Sequence, residues 1–436
     1  MTESQEQEAI TKGFFGKNPS LRIREFNYYL AVRFGLIFGL NLQSTIIYYW
    51  VYHVTNDKLA LGFVGLAEVI PAIACSFFSG HVVDQNEKRK MVLICTLSYI
   101  VVGAGLFALS LPMVGNQFEF RSLLAVIYIL VFIGGAIRAF YSPSMFALFG
   151  LVVPRKHYPN ATSWSSMAWQ FGAVLGPLAA GFLIALAGIS FGLSTIVVID
   201  LLLLIPLFAI AVKPIMKKEK EPVLKSVTEG LKFVVSTPAL LGAQCLDMFS
   251  VLFGGAVALL PVYQKEILHV NEMGFGILRS APGIGALLTL GLLAFIPLKT
   301  YPGRKLFICV TGFALSIIVF GISKNFYLSF FMLLLSGMFD AVSVVIRSTI
   351  LQLVTPDAMR GRVAAVNTMF VSSSNELGDF ESGVMAHWLG TVRAVVTGGC
   401  LTLAVIAVTF FSAPPLRNFS FDEKGNEPDE KEKLPQ

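Results

Sequence analysis

Glu68, Arg138, Asp200, Asp247, Asp340, Glu376, Asp379 and Glu381 all lie inside stretches that are otherwise apolar. Hydrocarbon penalises a charge at a helix centre by at least about 2.5–3.5 kcal/mol, so such residues pair, line a wet cavity or carry ions. The chemistry open to this set is proton carriage and recognition of a polar or charged solute. Glu376 and Asp379 are three residues apart and share a helix face, where two adjacent carboxylates suit the holding of one proton. One of them is the expected proton carrier. Glu381, turned about 160° from Asp379 at 100° per residue, is expected to meet a neighbouring helix or loop. Glu68 and Asp200 are expected to pair locally or to face a cavity. Asn41 and Gln43, followed by Tyr48, Tyr49 and Trp50, form a candidate polar-aromatic path, although an interfacial aromatic belt explains the trio equally well. Arg33 and Arg347 fall near the ends of their stretches and are expected to snorkel to the membrane surface.

The elements that position these groups are membrane-spanning helices. Hydrophobic residues make up 55% of the 436-residue chain and charged residues 14%, against roughly a quarter charged in a soluble domain, and mean hydropathy is +0.72. Crossing about 30 Å of hydrocarbon takes about 20 apolar residues, and continuous apolar runs do so as helices. Twelve spans are expected, near 28–51, 60–82, 91–113, 124–151, 163–187, 190–212, 239–262, 274–297, 305–322, 328–353, 364–388 and 392–412. One face then carries 24 Lys and Arg in loops and termini, and the other only Lys58, Arg121, Lys265, Lys324 and Arg393. The positive-inside rule puts both termini in the cytoplasm and accounts for the net charge of +6 without a nucleic-acid partner. Met1–Asn27 lacks the apolar core of a signal peptide. Cys75, Cys95, Cys245, Cys309 and Cys400 sit in apolar runs and read as small hydrophobes, not as a metal site.

The longest polar interruption divides the chain into an N-terminal segment 1–27, a first bundle 28–212, a linker 213–238, a second bundle 239–412 and a charged tail 413–436 that is expected to be disordered. In the linker, Val223, Val227, Leu231 and Val234 recur at helical spacing opposite Lys225, Glu229 and Lys232, as in an amphipathic helix on the membrane surface. Sliding the halves by 202 residues aligns Gly135 with Gly337, Pro154 with Pro356, Met167 with Met369, Gly176 with Gly378 and Gly181 with Gly383. Two parallel-related halves of six helices place a substrate site at the midplane between them. The same register sets Arg138 opposite Asp340, and the two are expected to pair across the halves in one state.

Several segments resemble the major facilitator superfamily. Gly80-His-Val-Val-Asp84-Gln-Asn-Glu-Lys88-Arg89 is similar to its loop motif after span 2, with Glu87 where the family has a second Gly. Gly172-Ala-Val-Leu-Gly176-Pro177-Leu-Ala-Ala-Gly181 is similar to the span 5 motif of its antiporting members, and suits close helix approach and bending. Leu278–Gly283, Thr355–Val363 and Ser374–Gly383 resemble the branch of enterobactin exporters and macrolide-efflux proteins. The resemblance implies an all-α membrane protein of twelve transmembrane helices in two pseudo-symmetric six-helix bundles. It further implies proton-driven export of small amphiphiles across a bacterial inner membrane, with Arg138 in the cavity and Asp84, Lys88 and Arg89 latching the cytoplasmic side by pairing with neighbouring helix ends.

The expected partners are the lipid bilayer, a small amphiphilic substrate and protons, for a monomer without cofactor or metal. A lipid translocator shares the fold. An intramembrane aspartyl protease is disfavoured, because Leu246 and Glu376 stand where its signature needs Tyr and Gly. No phosphate-binding Gly-rich loop with Lys occurs, so the energy comes from a gradient and not from ATP.

Overall fold

A computed structural model describes residues 18–115, 117–213, 223–295, 302–356 and 359–419. The expected disordered tail lies mostly outside these residues, as do much of the N-terminal segment and part of the linker. The main elements are α1 (Arg24–Thr55), α2 (Lys58–Gln85), α3 (Lys88–Ser110), α4 (Phe120–Val152), α5 (Tyr158–Ala209), α6 (Val223–Ser236), α7 (Pro238–Gly254), α8 (Glu272–Phe295), α9 (Pro302–Ile322), α10 (Phe326–Val354), α11 (Arg360–Leu389) and α12 (Thr391–Ser412).

Ten stretches among the described residues are long and apolar enough to cross a membrane. One of them, Arg155–Ala209, runs for 55 residues, about 80 Å at 1.5 Å per residue and more than twice the hydrocarbon thickness. It holds two crossings, because Gly188 breaks α5 at φ 82°, a conformation that a side chain would resist. The 30-residue α11 has the length but is diluted by Arg362, Glu376, Asp379 and Glu381, and it supplies the twelfth crossing.

The chain forms two compact units. One takes in the chain up to Asn56, Leu66–Val223 and Asn271–Ser280, and the other takes in Asp57–Gly65, Leu224–Val270 and the chain from Ala281. Each unit repeats the same local packing. In the first, a Cβ on Gly135 of α4 would lie 2.2 Å from the Glu68 carbonyl and 3.0 Å from the Pro71 ring of α2. In the second, a Cβ on Gly337 of α10 would lie 1.9 Å from the carbonyl of Pro282 in α8. Gly176 meets Phe38 and Asn41 of α1 as Gly378 meets Val251 and Leu252 of α7. Among the described residues the positive-φ glycines are Gly188 and Gly390, separated by 390 − 188 = 202 residues, the register of the sequence repeat. Both join paired crossings.

These contacts make a prediction about packing. Gly135→Ala and Gly337→Ala will each destabilise by about 1–3 kcal/mol, because the neighbour is backbone and cannot rotate away. Gly134→Ala, with nothing within 4 Å of its Cβ position, will change stability by less than about 0.5 kcal/mol. Thermal unfolding in detergent, followed by a thiol-reactive dye, measures both.

Helix α6 forms over Val223–Ser236 as its periodicity predicts. Val234 is buried with Leu240, Val363 and Val366, Glu229 pairs with Arg362 at 2.5 Å, and a Cβ on Gly230 would lie 2.7 Å from the Arg362 carbonyl. Within the second unit this helix is therefore docked on the first turn of α11 along one edge, with Leu231 and Val235 left exposed.

Candidate functional site

In the second unit, α10 carries Asp340, Ser343 and Arg347 at i, i+3 and i+7, which puts all three on one helix face. That face meets Asp247 of α7. Arg347 donates from Nη1 to Asp247 Oδ2 and from Nε to Ser343 Oγ at 3.1 Å, while its Nη2 lies 3.8 Å from Asp340 Oδ1. The Asp247 and Arg347 side chains are 6% and 10% exposed, whereas that of Asp340 is 46% exposed. A cavity of about 10 Å³ opens between them, lined by Asp247, Ser250, Asp340 and Ser343 with Val251, Val310, Phe313 and Phe339. That is room for the centre of about one water among polar partners.

Two carboxylates around one guanidinium carry one net negative charge, and one added proton makes the group neutral. In a low-dielectric interior an unpaired buried charge is costly, so both carboxylates draw on the one guanidinium. Asp340 is the accessible end of this group and Asp247 the enclosed end. The expectation that Arg347 snorkels is therefore corrected: a guanidinium flanked by Asp247 of α7 and by Asp340 two turns back on its own helix is better solvated by them than by the membrane surface.

In the first unit, Arg138 of α4 pairs with Glu68 of α2, Nη1 to Oε1 at 2.7 Å. The Gly135 contact draws the helices close enough for this bond, one turn before Arg138. Within each unit the charge has a partner, Arg138 with Glu68 and Asp340 beside Arg347, and the pairing of Arg138 with Asp340 expected in one state stays a proposal. Each charge finds a counterion at its own depth on an adjacent helix. Arg33 also departs from the snorkelling expectation, since its Nε donates to the Ser165 carbonyl at 3.0 Å.

On α11, the face of Glu376, Asp379, Phe380 and Gly383 packs on the first turns of α2 within the second unit. A Cβ on Gly65 would lie 2.8 Å from the Glu376 carbonyl and 2.9 Å from Asp379 Cβ. The shared face predicted for Glu376 and Asp379 is thus a helix contact as well, with Glu376 buried and Asp379 half-buried. Glu381 is also half-buried, and Ser382 beside it donates to the Gly255 carbonyl at 2.8 Å.

Asn41 donates to the Ile37 carbonyl of its own helix at 2.8 Å, so its amide is satisfied locally. Tyr48, Tyr49 and Trp50 are 2%, 6% and 6% exposed, which overturns an interfacial belt. Tyr49 donates to Glu272 Oε1 at 2.9 Å, and Arg279 stacks over the Tyr48 ring at 4.9 Å while reaching Ser44 Oγ at 3.3 Å. The span 5 glycines serve two contacts within the first unit. Gly172 and Gly176 accept α1, and Gly181, with the carbonyl of Pro177, accepts Gly276 of α8.

The loop after α2 works through its basic residues. Lys88 is 7% exposed, and its Nζ donates to the carbonyls of Val83, Asp84 and Asn86, closing the end of α2. Arg89 donates to the Leu207 and Phe208 carbonyls at 3.0 Å each, closing the end of α5. Glu87 takes the place of the family's glycine as the N-cap of α3, accepting from Arg89 N at 3.0 Å and Lys90 N at 2.6 Å. Its φ of −66° needs no glycine, and a Cβ on Gly80 would meet nothing within 4 Å. The Asp84 side chain is exposed. Lys88→Met will therefore destabilise by about 1–3 kcal/mol through unsatisfied carbonyls, whereas Asp84→Asn will leave thermal stability within about 0.5 kcal/mol of wild type. Melting curves of both variants check this.

Sequence reasoning missed Ser250, Ser343 and the role of Arg347. The signal was present in the helical spacing of Asp340, Ser343 and Arg347, although the partner helix α7 was not legible from it.

The chain resembles known proteins in sequence and in fold. It is 24% identical over 380 residues to the enterobactin exporter EntS of Citrobacter koseri, covering 86% of this chain and 88% of that protein. To EntS of Escherichia coli O1:K1 it is 26% identical over 321 residues, 73% of each chain. The crystal structure of a D-xylose-proton symporter superposes with a TM-score of 0.70 at 15% identity, covering 91% of this chain and 99% of that one. The xylose transporter XylE of E. coli in an inward-open conformation gives a TM-score of 0.67 at 16% identity, over 89% and 96%. The model of the Major Facilitator Superfamily matches residues 29–378. With twelve crossings, two internally repeated units and that match over most of its length, the chain belongs to the Major Facilitator Superfamily of multi-pass membrane transporters.

Proposed function

We propose that this protein is a secondary active exporter of the bacterial inner membrane, with both termini cytoplasmic, which exchanges protons for a small amphiphile of the siderophore or macrolide kind by alternating access. The observation that carries the reading is the Asp247–Arg347–Asp340 group, enclosed at one end and accessible at the other. A proton entering at Asp340 neutralises the group and frees Arg347 to hold Asp247 alone, while loss of the proton restores the shared arrangement. Two arrangements of one buried ion group are what a proton-driven conformational cycle needs. The similarity to enterobactin exporters supports the substrate class. Arg138 with Glu68 supplies a half-buried charged pair for a polar solute group, and Glu376, Asp379 and Glu381 act on α11 as neighbouring coupling residues. Lys88 and Arg89 hold the helix ends that a cytoplasmic gate requires, with Asp84 engaging only in the closed-inside state.

Inside-out vesicles containing the full chain and an acid lumen provide the test, with enterobactin, erythromycin and a lysophospholipid as probes. Accumulation of the siderophore or the macrolide, collapsed by a protonophore, is expected. Accumulation of the lysophospholipid alone would replace the reading with lipid translocation, and accumulation of none of them would overturn it.

A further inference from the structure

Asp200 lies on the second half of α5 at 4% exposure, about ten residues from the helix end and hence about 15 Å along it. Among the described residues its carboxylate has no hydrogen bond or ion pair. One oxygen points at α1, 3.4 Å from where Gly39 would carry a Cβ, so the missing side chain leaves the carboxyl its space. Gln43, 8% exposed, lies one turn further along the same face of α1. The Tyr141 hydroxyl of α4 is buried without a hydrogen-bond partner and stands within electrostatic reach of Asp200, Arg33, Tyr29 and Cys95. The cation among these, Arg33, is committed elsewhere, to the Ser165 carbonyl and, at 3.5 Å, to the Tyr29 hydroxyl. All of these residues belong to the first unit.

An ionised carboxylate enclosed without counterion or donor is among the most costly arrangements a protein can hold, and neutralisation by a proton is the ordinary relief. Tyr141 cannot supply that proton and keep its own neutral hydroxyl, but it can serve as hydrogen-bond partner to a protonated acid. We propose that Asp200 is a second proton-binding site, separate from the Asp247–Arg347–Asp340 group, with Tyr141 as its positioning residue. It gives the first unit its own titrating group, so that one proton binds in each unit. The participation of this proton in transport rests on the proton-coupled reading above, whereas its binding does not.

Infrared difference spectra of the full-length protein in lipid, recorded across a pH titration without substrate, test the binding directly. A protonated-carboxyl C=O band is expected that moves on isotopic labelling of aspartate, shifts in Tyr141→Phe and disappears in Asp200→Asn, while persisting in Asp247→Asn. If Asp200→Asn fails to fold, the label and the Tyr141→Phe shift still decide the matter. A spectrum unaffected by all three changes would overturn the site, and a band displaced by added sodium would make it a metal-cation site instead. In the vesicle assay, one pH unit across the membrane supports about tenfold accumulation per exchanged proton. Asp200→Asn should therefore lower the ratio from about a hundredfold to about tenfold; an unchanged ratio with the band lost would remove Asp200 from the cycle and leave the binding site standing.

Discussion

Arg347→Gln will unfold more readily than wild type by about 3–5 kcal/mol, because removing one partner from a buried ion group leaves the others uncompensated. Asp247 is enclosed at 6% side-chain exposure and receives the Arg347 Nη1 bond, so it bears most of that loss. Asp340, at 46%, is accessible and bears less. Adding Asp247→Asn to Arg347→Gln removes the charge that was stranded, so the double variant will recover part of the lost stability. The coupling energy of such neighbours is about 0.5–3 kcal/mol by a double-mutant cycle. Thermal unfolding of the three variants in one detergent measures it. Additive losses would mean that the two residues do not depend on each other, and the account of the site would fail at its first step.

Neutralising the acids separates coupling from movement. Asp247→Asn and Asp340→Asn keep the shape of the side chain and remove its ability to exchange a proton, so substrate exchange across vesicles should continue without a gradient. Gradient-driven accumulation should fall about tenfold for each pH unit imposed, the contribution of one proton. Glu376→Gln and Asp379→Asn probe the earlier expectation that the α11 pair carries the proton. Because that face packs against the first turns of α2, these substitutions are expected to alter the rate of the cycle more than its coupling. Loss of coupling in the α11 variants, with coupling kept in the α7 and α10 variants, would move the proton site back to α11.

The crossings and the repeat were legible because apolar length and glycine register are properties of a single helix. Gly135, Gly337, Gly176 and Gly378 sit where helices touch, and the same spacing extends to Gly188 and Gly390, whose positive φ only the backbone reveals. The intramembrane charges were legible as a set, since hydrocarbon makes each of them conspicuous. Their partners were not. Which carboxylate Arg347 chooses depends on how α10 is rotated against α7, and the choice of Glu68 by Arg138 depends on how α4 is rotated against α2, neither of which the depth of a residue reveals. Glu87 shows a related limit, because a departure from a family glycine became a helix cap once the loop adopted a φ open to any residue.

Substrate-driven proton movement tests proton exchange by this protein. Proteoliposomes holding the full chain and a pH-sensitive dye in the lumen would receive enterobactin or erythromycin from outside, with no pH gradient imposed. Exchange of inward substrate for outward protons will make the lumen alkaline, and the signal will diminish in the Asp247→Asn, Asp340→Asn double variant and vanish when Asp200→Asn is added, while substrate still enters. Entry of substrate into wild-type vesicles with no change in lumenal pH would contradict proton exchange.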